Sequence, residues 1–202
     1  MTQIKICGLR REEDIWYTNE LQPEYGGFVF ARSKRQVDIY QAKVLIGKLD
    51  KRIKKVGVFL NHSEDEIKQI VEFCNLDIIQ LHGDEGPDFC TQFTQRVWKA
   101  FRIKDETSFK QLDNYNVAGY LLDTFAEGEY GGTGAIFNWD IVSKLVKDRF
   151  IILAGGLTPN NVIRAIEIIN PQVVDVSSGV EIDGIKSFDR MKEFIGNVRG
   201  LN

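Results

Sequence analysis

Short runs of β-branched and other apolar residues alternate with longer stretches of helical period along the whole chain. Several runs are apolar at every position, as from Ile151 to Ala154, which is typical of parallel strands covered by helices. Eight runs are predicted strands: Ile4–Cys7, Gly27–Phe30, Val56–Leu60, Ile78–Leu81, Val97–Phe101, Gly119–Asp123, Phe150–Ala154 and Val173–Val176. Parallel strands need crossover connections, so a helix is expected between each strand and the next.

Two of the crossover helices carry clear end signals. Ser63 precedes a predicted helix over Glu64–Cys74, and Thr158 opens another that has Pro159 in its first turn and ends at Asn170. A strand of about 5 residues, a helix of about 11 and two connections of about 4 to 5 residues make a unit of about 25 residues. Eight such units use the whole of this 202-residue chain. We therefore predict an α/β fold, a single (β/α)8 TIM barrel domain over residues 1–202.

An open doubly wound sheet is the alternative arrangement of the same elements. Its glycine signature, GxGxxG, should follow the first strand. Cys7, Gly8, Leu9 and Arg10 stand there instead, so the barrel is preferred.

Composition and charge exclude several classes of protein. With 43% hydrophobic and 27% charged residues, the chain is neither disordered nor collagen-like nor a coiled coil. A net charge of -3 supplies no general attraction to nucleic acid or to acidic membranes. No apolar run approaches the roughly 18 residues of a membrane span, and the first ten residues lack the apolar centre of a secretory signal. The predicted compartment is the cytoplasm.

The cysteines and histidines are few and are not spaced as metal ligands. Cys7, Cys74 and Cys90 are an odd number without a CxxC pair, so neither a disulfide framework nor a zinc site is indicated. His62 and His82 are the two histidines, and neither has an adjacent ligand-spaced acid. We predict no metal centre.

In a TIM barrel, catalytic groups come from the C-terminal ends of the strands and from the loops just beyond them. On this chain those positions hold Cys7, Arg32, Arg35, Asn61, His82, Arg102, Asp123, Gly155, Gly156, Ser177 and Ser178. The set favours an anionic ligand that is bound locally.

Three of these side chains are candidates for proton transfer or substrate contact. Cys7 is either a small buried residue or a general base or nucleophile, and the second role needs a pKa below the ordinary thiol value of about 8.5. Asp123 either caps the following loop or, if partly buried, acts as an acid near neutral pH. His82 is either a hydrogen-bonded structural residue or a residue of the substrate site. An acid and a base on opposite strands of one mouth would carry out proton transfer.

Other loops at the same end offer groups for binding anions. Arg35 could hold a carboxylate through paired hydrogen bonds, although a solvated loop is the alternative. The loops after the seventh and eighth strands combine small residues, amides and hydroxyls, which together predict a monophosphate site, although either alone could be a tight turn. The predicted phosphate residues are Gly155, Gly156, Ser177, Ser178 and Gly179. A glycine-rich segment with Gly128 and Gly131–Gly134 predicts a closing lid, unless it is merely flexible.

Several segments from end to end of the chain match one known family pattern. They are Lys5–Leu9, Gly27–Phe30, Ser33–Arg35, Val56–Phe59, Gln80–Gly83, Leu122–Thr124, Gly131–Gly134, Ala154–Leu157 and Asp175–Glu181. Together these segments resemble the phosphoribosylanthranilate isomerase family of tryptophan biosynthesis. The resemblance implies a TIM barrel and a cofactor-free Amadori rearrangement of N-(5-phosphoribosyl)anthranilate to 1-(2-carboxyphenylamino)-1-deoxyribulose 5-phosphate.

The resemblance also implies roles for the matched residues. Cys7 would remove the proton at ribose C2, Asp123 would protonate the furanose ring oxygen, and Arg35 would bind the anthranilate carboxylate. His82 lies in the substrate site without a defined role. Gly155, Gly156, Ser177, Ser178 and Gly179 would hold the phosphate. The implied partner is a small phosphosugar that carries an anthranilate group, with neither nucleic acid nor membrane involved.

The segment Ala135–Trp139 departs from the family pattern, which has a more polar stretch with lysine and threonine there. A cation near the lid is therefore expected to be missing. A related indole-glycerol-phosphate synthase reaction is one alternative, but it would need a lysine acid where the strand ends offer Cys7 and Asp123. A phosphosugar-binding barrel without catalysis is the other, and the altered lid is its only support.

Overall fold

Eight parallel strands close into a barrel in the computed structural model, which describes residues 1–103, 106–124 and 149–200. The strands are β1 (Gln3–Cys7), β2 (Tyr25–Val29), β3 (Lys54–Phe59), β4 (Ile78–Leu81), β5 (Arg96–Ile103), β6 (Gly119–Thr124), β7 (Ile151–Ala154) and β8 (Val173–Val176). Each strand pairs with the next, and β8 returns to β1 with Asp175 opposite Lys5. The predicted barrel is confirmed, with every predicted strand end within two residues of the observed one.

Helices occupy the crossovers on the outside of the barrel. They are α1 (Glu12–Leu21), α2 (Ile39–Lys48), α3 (Glu64–Cys74), α4 (Pro87–Cys90), α5 (Val162–Ile169) and α6 (Phe188–Gly200). Two 3-10 helices, Glu106–Asn114 and Ser178–Val180, and a hairpin of β9 (Glu181–Ile182) and β10 (Ile185–Lys186) complete the described elements. The lid residues Gly128 and Gly131–Gly134 and the segment Ala135–Trp139 lie outside the described residues.

Helix α3 has the predicted bounds because its first turn satisfies its own backbone donors. The Ser63 hydroxyl accepts from the Glu66 N–H at 3.4 Å, and the Glu66 carboxylate accepts from the Ser63 N–H at 2.8 Å. This reciprocal capping box ties the start of the helix to a short sequence pattern. Ser63 and Glu66 therefore determine where α3 begins.

The predicted start of the helix after β7 is wrong. Thr158 does not open it; the helix begins at Val162, after a turn over residues 158–161. The Asn161 side chain accepts from the Thr158 N–H at 2.8 Å, and the Thr158 carbonyl accepts from the Asn161 N–H at 3.3 Å. An asparagine that bonds locally to backbone offers the chain a turn in place of a helix. The predicted end is correct, because Asn170 adopts a left-handed φ of 51° there.

Two apolar cores lie on either side of the strands. The outward side chains, such as Ile4, Ile6, Ile79 and Leu81, pack beneath the helices. The other core is the apolar part of the barrel interior, which consists of Tyr25, Val56, Ile78, Trp98, Ala100, Leu121, Ile152, Ala154 and Val173. Burial of each large side chain of this interior core stabilises the fold by about 1.5 to 3 kcal/mol. This interior core is called the plug below.

Three features bear on the expectations from composition. Cys7, Cys74 and Cys90 are buried free thiols. In residues 1–103, 106–124 and 149–200, no group of three or more His, Cys, Asp or Glu side chains is placed to hold a metal ion. Across those same ranges, none of the helices has both the length and the apolar character that crossing a bilayer requires.

Candidate active site

The barrel interior changes from apolar to polar above the plug. Lys5 of β1 is fully buried there, and its ammonium donates to the Asp175 carboxylate at 2.7 Å and to the Gln80 amide oxygen at 2.8 Å. Burial opposes the charge on Lys5, but the adjacent Asp175 carboxylate and Cys7 sulfur outweigh it, so the pKa of Lys5 is raised. Within the described residues, Asp175 Oδ1 is buried without a hydrogen-bond partner.

We did not predict this polar layer, although the sequence contains a signal for it. Along β1, Lys5 and Cys7 alternate with the apolar Ile4 and Ile6, which is the period-two pattern of a strand with one polar face. The same alternation occurs where Asp175 stands between Val174 and Val176. Polar residues at alternate positions of a buried parallel strand indicate an interior, hydrogen-bonded layer.

Cys7 ends β1 directly above Lys5. The side chain is buried, and a Cβ atom placed on Gly27 would lie 3.0 Å from its sulfur and 3.1 Å from Lys5 Cε. Burial raises the pKa of the Cys7 thiol, while the ammonium groups of Lys5 and Lys186 act in the opposite direction. The two ammonium groups therefore favour the thiolate of Cys7 but do not outweigh the effect of its burial on the pKa. The desolvation of Cys7 could not be predicted from the sequence.

Asp123 and His82 are joined at the mouth, across β6 and β4. His82 Nε2 lies 3.2 Å from Asp123 Oδ2, and His82 Nδ1 lies 3.0 Å from the amide nitrogen of Gln80. Both side chains are about one third exposed or less, at 35% for Asp123 and 26% for His82. Because Gln80 also binds Lys5, a continuous line of polar contacts joins the thiol end of the site to Asp123.

The loop that carries His82 is held by a buried ion pair. Lys99 of β5 donates to the Glu85 carboxylate at 3.1 Å and to the Gly83 carbonyl at 2.7 Å. The Glu85 carboxylate in turn accepts from the Gly83 N–H at 2.9 Å and from the Asn61 N–H at 2.8 Å. These bonds connect β5 to the loops after β3 and β4 and hold the backbone at Gly83, directly after His82.

Arg35, in the loop after β2, crosses the end of β1 and binds an acid that follows β8. Its Nε and Nη2 donate to the two carboxylate oxygens of Glu181 at 2.7 Å and 2.6 Å. Gly8, at φ 82°, makes this path possible, because a Cβ there would lie 2.5 Å from Arg35 Cδ.

Glu181 is held between two cations. The Lys186 ammonium donates to its carboxylate at 2.7 Å, in addition to the pair from Arg35. Burial alone would raise the pKa of Glu181, but the hydrogen bonds from Arg35 and Lys186 lower it to about 2. Burial lowers the pKa of Lys186, and the Glu181 carboxylate opposes that effect. Glu181 and Lys186 were not among the predicted site residues, and their positions on the β9–β10 hairpin gave no local signal.

The two predicted phosphate loops lie against each other. Gly155 and Gly156 have φ values of 85° and 64°. Gly179 lies so close to the other loop that a Cβ there would stand 1.8 Å from the Leu157 carbonyl oxygen. The structure therefore brings the residue sets 155–156 and 177–179 to one side of the mouth.

The Ser177 side chain holds the loop after β8 in place against the end of β1. Its hydroxyl donates to the Cys7 carbonyl at 3.1 Å, and its own carbonyl accepts from Lys186 at 2.9 Å. These bonds tie the phosphate loop after β8 to the end of β1. A lysine ammonium thus lies directly behind the loop that is predicted to bind the anion.

Comparisons with known proteins agree with this geometry. The family model described as "N-(5'phosphoribosyl)anthranilate (PRA) isomerase" matches residues 4–197. A protein named N-(5'-phosphoribosyl)anthranilate isomerase from Thermoanaerobacter sp. (strain X514) is 52% identical over 202 residues, covering 100% of both chains. The chain belongs to the phosphoribosylanthranilate isomerase family. A relative of the same name from Clostridium acetobutylicum is 46% identical, with 98% of each chain covered.

Solved structures of the phosphoribosylanthranilate isomerase family have the same barrel. The crystal structure of the enzyme from Thermotoga maritima has a TM-score of 0.94 and 36% identity, and covers 99% of this chain and 100% of that one. Another, with a TM-score of 0.89, 34% identity and the same coverage, is a complex with reduced 1-(o-carboxyphenylamino)-1-deoxyribulose 5-phosphate. The fold and the family that the sequence patterns suggested are confirmed.

Proposed function

We propose that this chain catalyses the Amadori rearrangement of N-(5-phosphoribosyl)anthranilate to 1-(2-carboxyphenylamino)-1-deoxyribulose 5-phosphate, without a cofactor. One observation carries the proposal: a single barrel mouth in a member of this isomerase family combines a thiol, a carboxylic acid, a guanidinium and two glycine loops. The groups are Cys7, Asp123, Arg35, Gly155, Gly156 and Gly179. The first two would move protons, and the others would bind the two anionic ends of the substrate.

Asp123 and Cys7 would act in sequence. Asp123 gives a proton to the furanose ring oxygen, and the C1–O bond breaks to leave an iminium ion. The iminium makes the neighbouring C2–H acidic, and the Cys7 thiolate removes that proton while the electron pair moves to the substrate nitrogen. The resulting enolamine gains a proton at C1 and loses the proton of its C2 hydroxyl, which gives the ketone product. The Lys5 ammonium beside Cys7 favours the thiolate, in opposition to burial.

The binding groups surround these two residues. Arg35, held by Glu181, would contact the anthranilate carboxylate, and His82 would line the same site beside Asp123. Gly155, Gly156, Ser177, Ser178 and Gly179 would bind the phosphate through backbone amides and the Ser178 hydroxyl, with Lys186 adding positive charge from behind. One barrel domain over 1–202 and a cytoplasmic location stay predictions from the sequence.

The test is a turnover assay with enzymatically generated substrate, in which the loss of substrate fluorescence measures the rate. Cys7→Ser and Asp123→Asn should each lower kcat by about 10² to 10⁴, since general acid and general base catalysis contribute factors of that size. Cys74→Ser is the matched control, because it makes the same thiol-to-hydroxyl change in α3, outside the mouth. Full activity in either site variant would overturn the assigned roles. Tight binding of a reduced product analogue by the unaltered protein, without any turnover, would instead identify a phosphosugar-binding barrel.

A further inference from the structure

The polar line between Lys5 and Asp123 fixes the orientation of the Gln80 amide. Lys5 carries an ammonium group, which has donors only, and its nitrogen lies 2.8 Å from the Gln80 side chain and 2.7 Å from Asp175. The atom of Gln80 that faces Lys5 must therefore be the carbonyl oxygen. The amide nitrogen consequently faces His82 at 3.0 Å.

The Gln80 amide in turn selects the tautomer of His82. An amide nitrogen is a donor only, so His82 Nδ1 must accept the hydrogen bond with its lone pair. A neutral imidazole has one N–H, which is then on Nε2. Nε2 lies 3.2 Å from Asp123 Oδ2, so the ring donates to that carboxyl oxygen. The backbone at Gly83 is held by Glu85 and Lys99, and the His82 N–H donates to the Phe59 carbonyl at 2.8 Å, which together keep the ring in this position.

The tautomer has a consequence for the proton on Asp123. A carboxyl oxygen that already faces an N–H cannot also carry a hydrogen towards it. The proton of an acidic Asp123 is therefore placed on Oδ1, which has no hydrogen-bond partner among the described residues. With the other tautomer, the bare Nε2 would accept the proton from Oδ2 and hold it inside the protein.

We propose that Gln80 is a positioning residue: it sets the tautomer of His82, and His82 directs the acidic proton of Asp123 to Oδ1, where a ligand can take it. Lys5 sets the direction of these hydrogen bonds, because its ammonium group, fully buried and bound to Asp175, can only donate. The inference rests on the proposed function of Asp123 as the general acid. It adds a role for Gln80 and for His82.

The direct test is nitrogen-15 NMR of the histidine rings in the protein without substrate, at mildly alkaline pH. A His62→Gln background leaves His82 as the only histidine in the chain, so its ring nitrogens give the only imidazole signals. We expect Nδ1 to show the shift of an unprotonated nitrogen and Nε2 that of a protonated one. Gln80→Glu replaces the donor with an acceptor of the same shape, and should move Nδ1 into the protonated range. A protonated Nδ1 in the unaltered ring, or an unchanged Nδ1 in Gln80→Glu, would overturn the proposal.

A second pair of variants covers the case in which the second carboxyl that Gln80→Glu places beside Lys5 prevents folding. His82→Gln can place an amide N–H near the position of Nε2, whereas the shorter His82→Asn cannot reach it. We expect His82→Gln to keep kcat within about tenfold, and His82→Asn to lose about 10²-fold, as for a misplaced general acid, with KM similar in both. Equal losses in the two variants would show that the donor at Nε2 has no catalytic effect.

The two kinds of failure can be distinguished, because the NMR measurement needs no turnover. The expected tautomer in a protein that shows no isomerase activity would refute the proposed function alone. Isomerase activity together with the opposite tautomer would refute the role given to Gln80.

Discussion

The two halves of the barrel interior are built from the same strands but in opposite ways. In the lower half, Ile78 of β4 and Val173 of β8 pack in an apolar plug around Trp98. Two residues further along the same strands, Gln80 and Asp175 form hydrogen bonds to Lys5. The plug stabilises the fold through buried apolar area. A buried ion pair adds little net stability, so the upper layer serves mainly to arrange the residues above it.

The largest effect is expected from breaking the upper layer at Lys5. Lys5→Met removes the partner of the buried Asp175 carboxylate, which should lower the free energy of unfolding by about 3 to 5 kcal/mol. Urea unfolding measures the change. Adding Asp175→Leu removes the stranded carboxylate and should restore most of that stability without restoring turnover. A loss below about 1 kcal/mol in the single variant would contradict the role given to this ion pair.

The titration of Cys7 itself sharpens the contrast, because it reports on a group just above the polar layer. Burial raises the pKa of Cys7 above its ordinary value, with Lys5, Lys186 and Asp175 as the charged groups around it. A raised pKa shifts the thiolate form to higher pH. We therefore expect the ultraviolet absorbance of the Cys7 thiolate, taken as the difference between the unaltered protein and Cys7→Ser, to be small at about pH 7 and to increase at about pH 9 and above. A complete thiolate at about pH 7, with the fold shown intact by circular dichroism, would contradict the raised pKa.

The smallest effect is expected in the plug, from the conservative substitution Trp98→Phe. The indole nitrogen is buried without a hydrogen-bond partner among the described residues, and the ring packs against Tyr25 at 5.0 Å between centroids. Trp98→Phe loses packing but also removes an unsatisfied donor that costs about 1 to 3 kcal/mol, so the net change should stay within about 1 kcal/mol. Thermal unfolding measures it, and kcat/KM should not change. Trp98→Ala is the contrast, with an expected loss of about 3 to 5 kcal/mol.

The parts of the fold that follow from local chemistry could be predicted from the sequence. The strands are short β-branched runs, and α3 follows a capping serine that has a glutamate three residues later, so both patterns lie within a few residues. The start of α5 was missed because Asn161 satisfies the backbone through a turn, and propensity alone does not decide between the two.

The site was less predictable, because its contacts span the chain. The positions of Cys7, Asp123, Arg35 and the glycine loops followed from the rule that strand ends form the mouth. The partners of Lys5 lie 75 and 170 residues away, and Glu181 lies 146 residues from Arg35. Such pairings depend on the register of the strands and on the closure of the barrel, and neither can be deduced from a short segment of the sequence. The pKa of Cys7 depends on burial for the same reason.

The pairing of Arg35 with Glu181 determines which part of the guanidinium a ligand could reach. One edge, formed by Nε and Nη2, is engaged by both oxygens of one carboxylate. A guanidinium has five N–H donors, so the neighbouring edge, formed by Nη1 and the second N–H of Nη2, lies outside this pairing and could bind another carboxylate through paired hydrogen bonds. Glu181 follows Gly179 closely in the chain, so an acid at that edge and an anion at the loop after β8 would be neighbours on the rim.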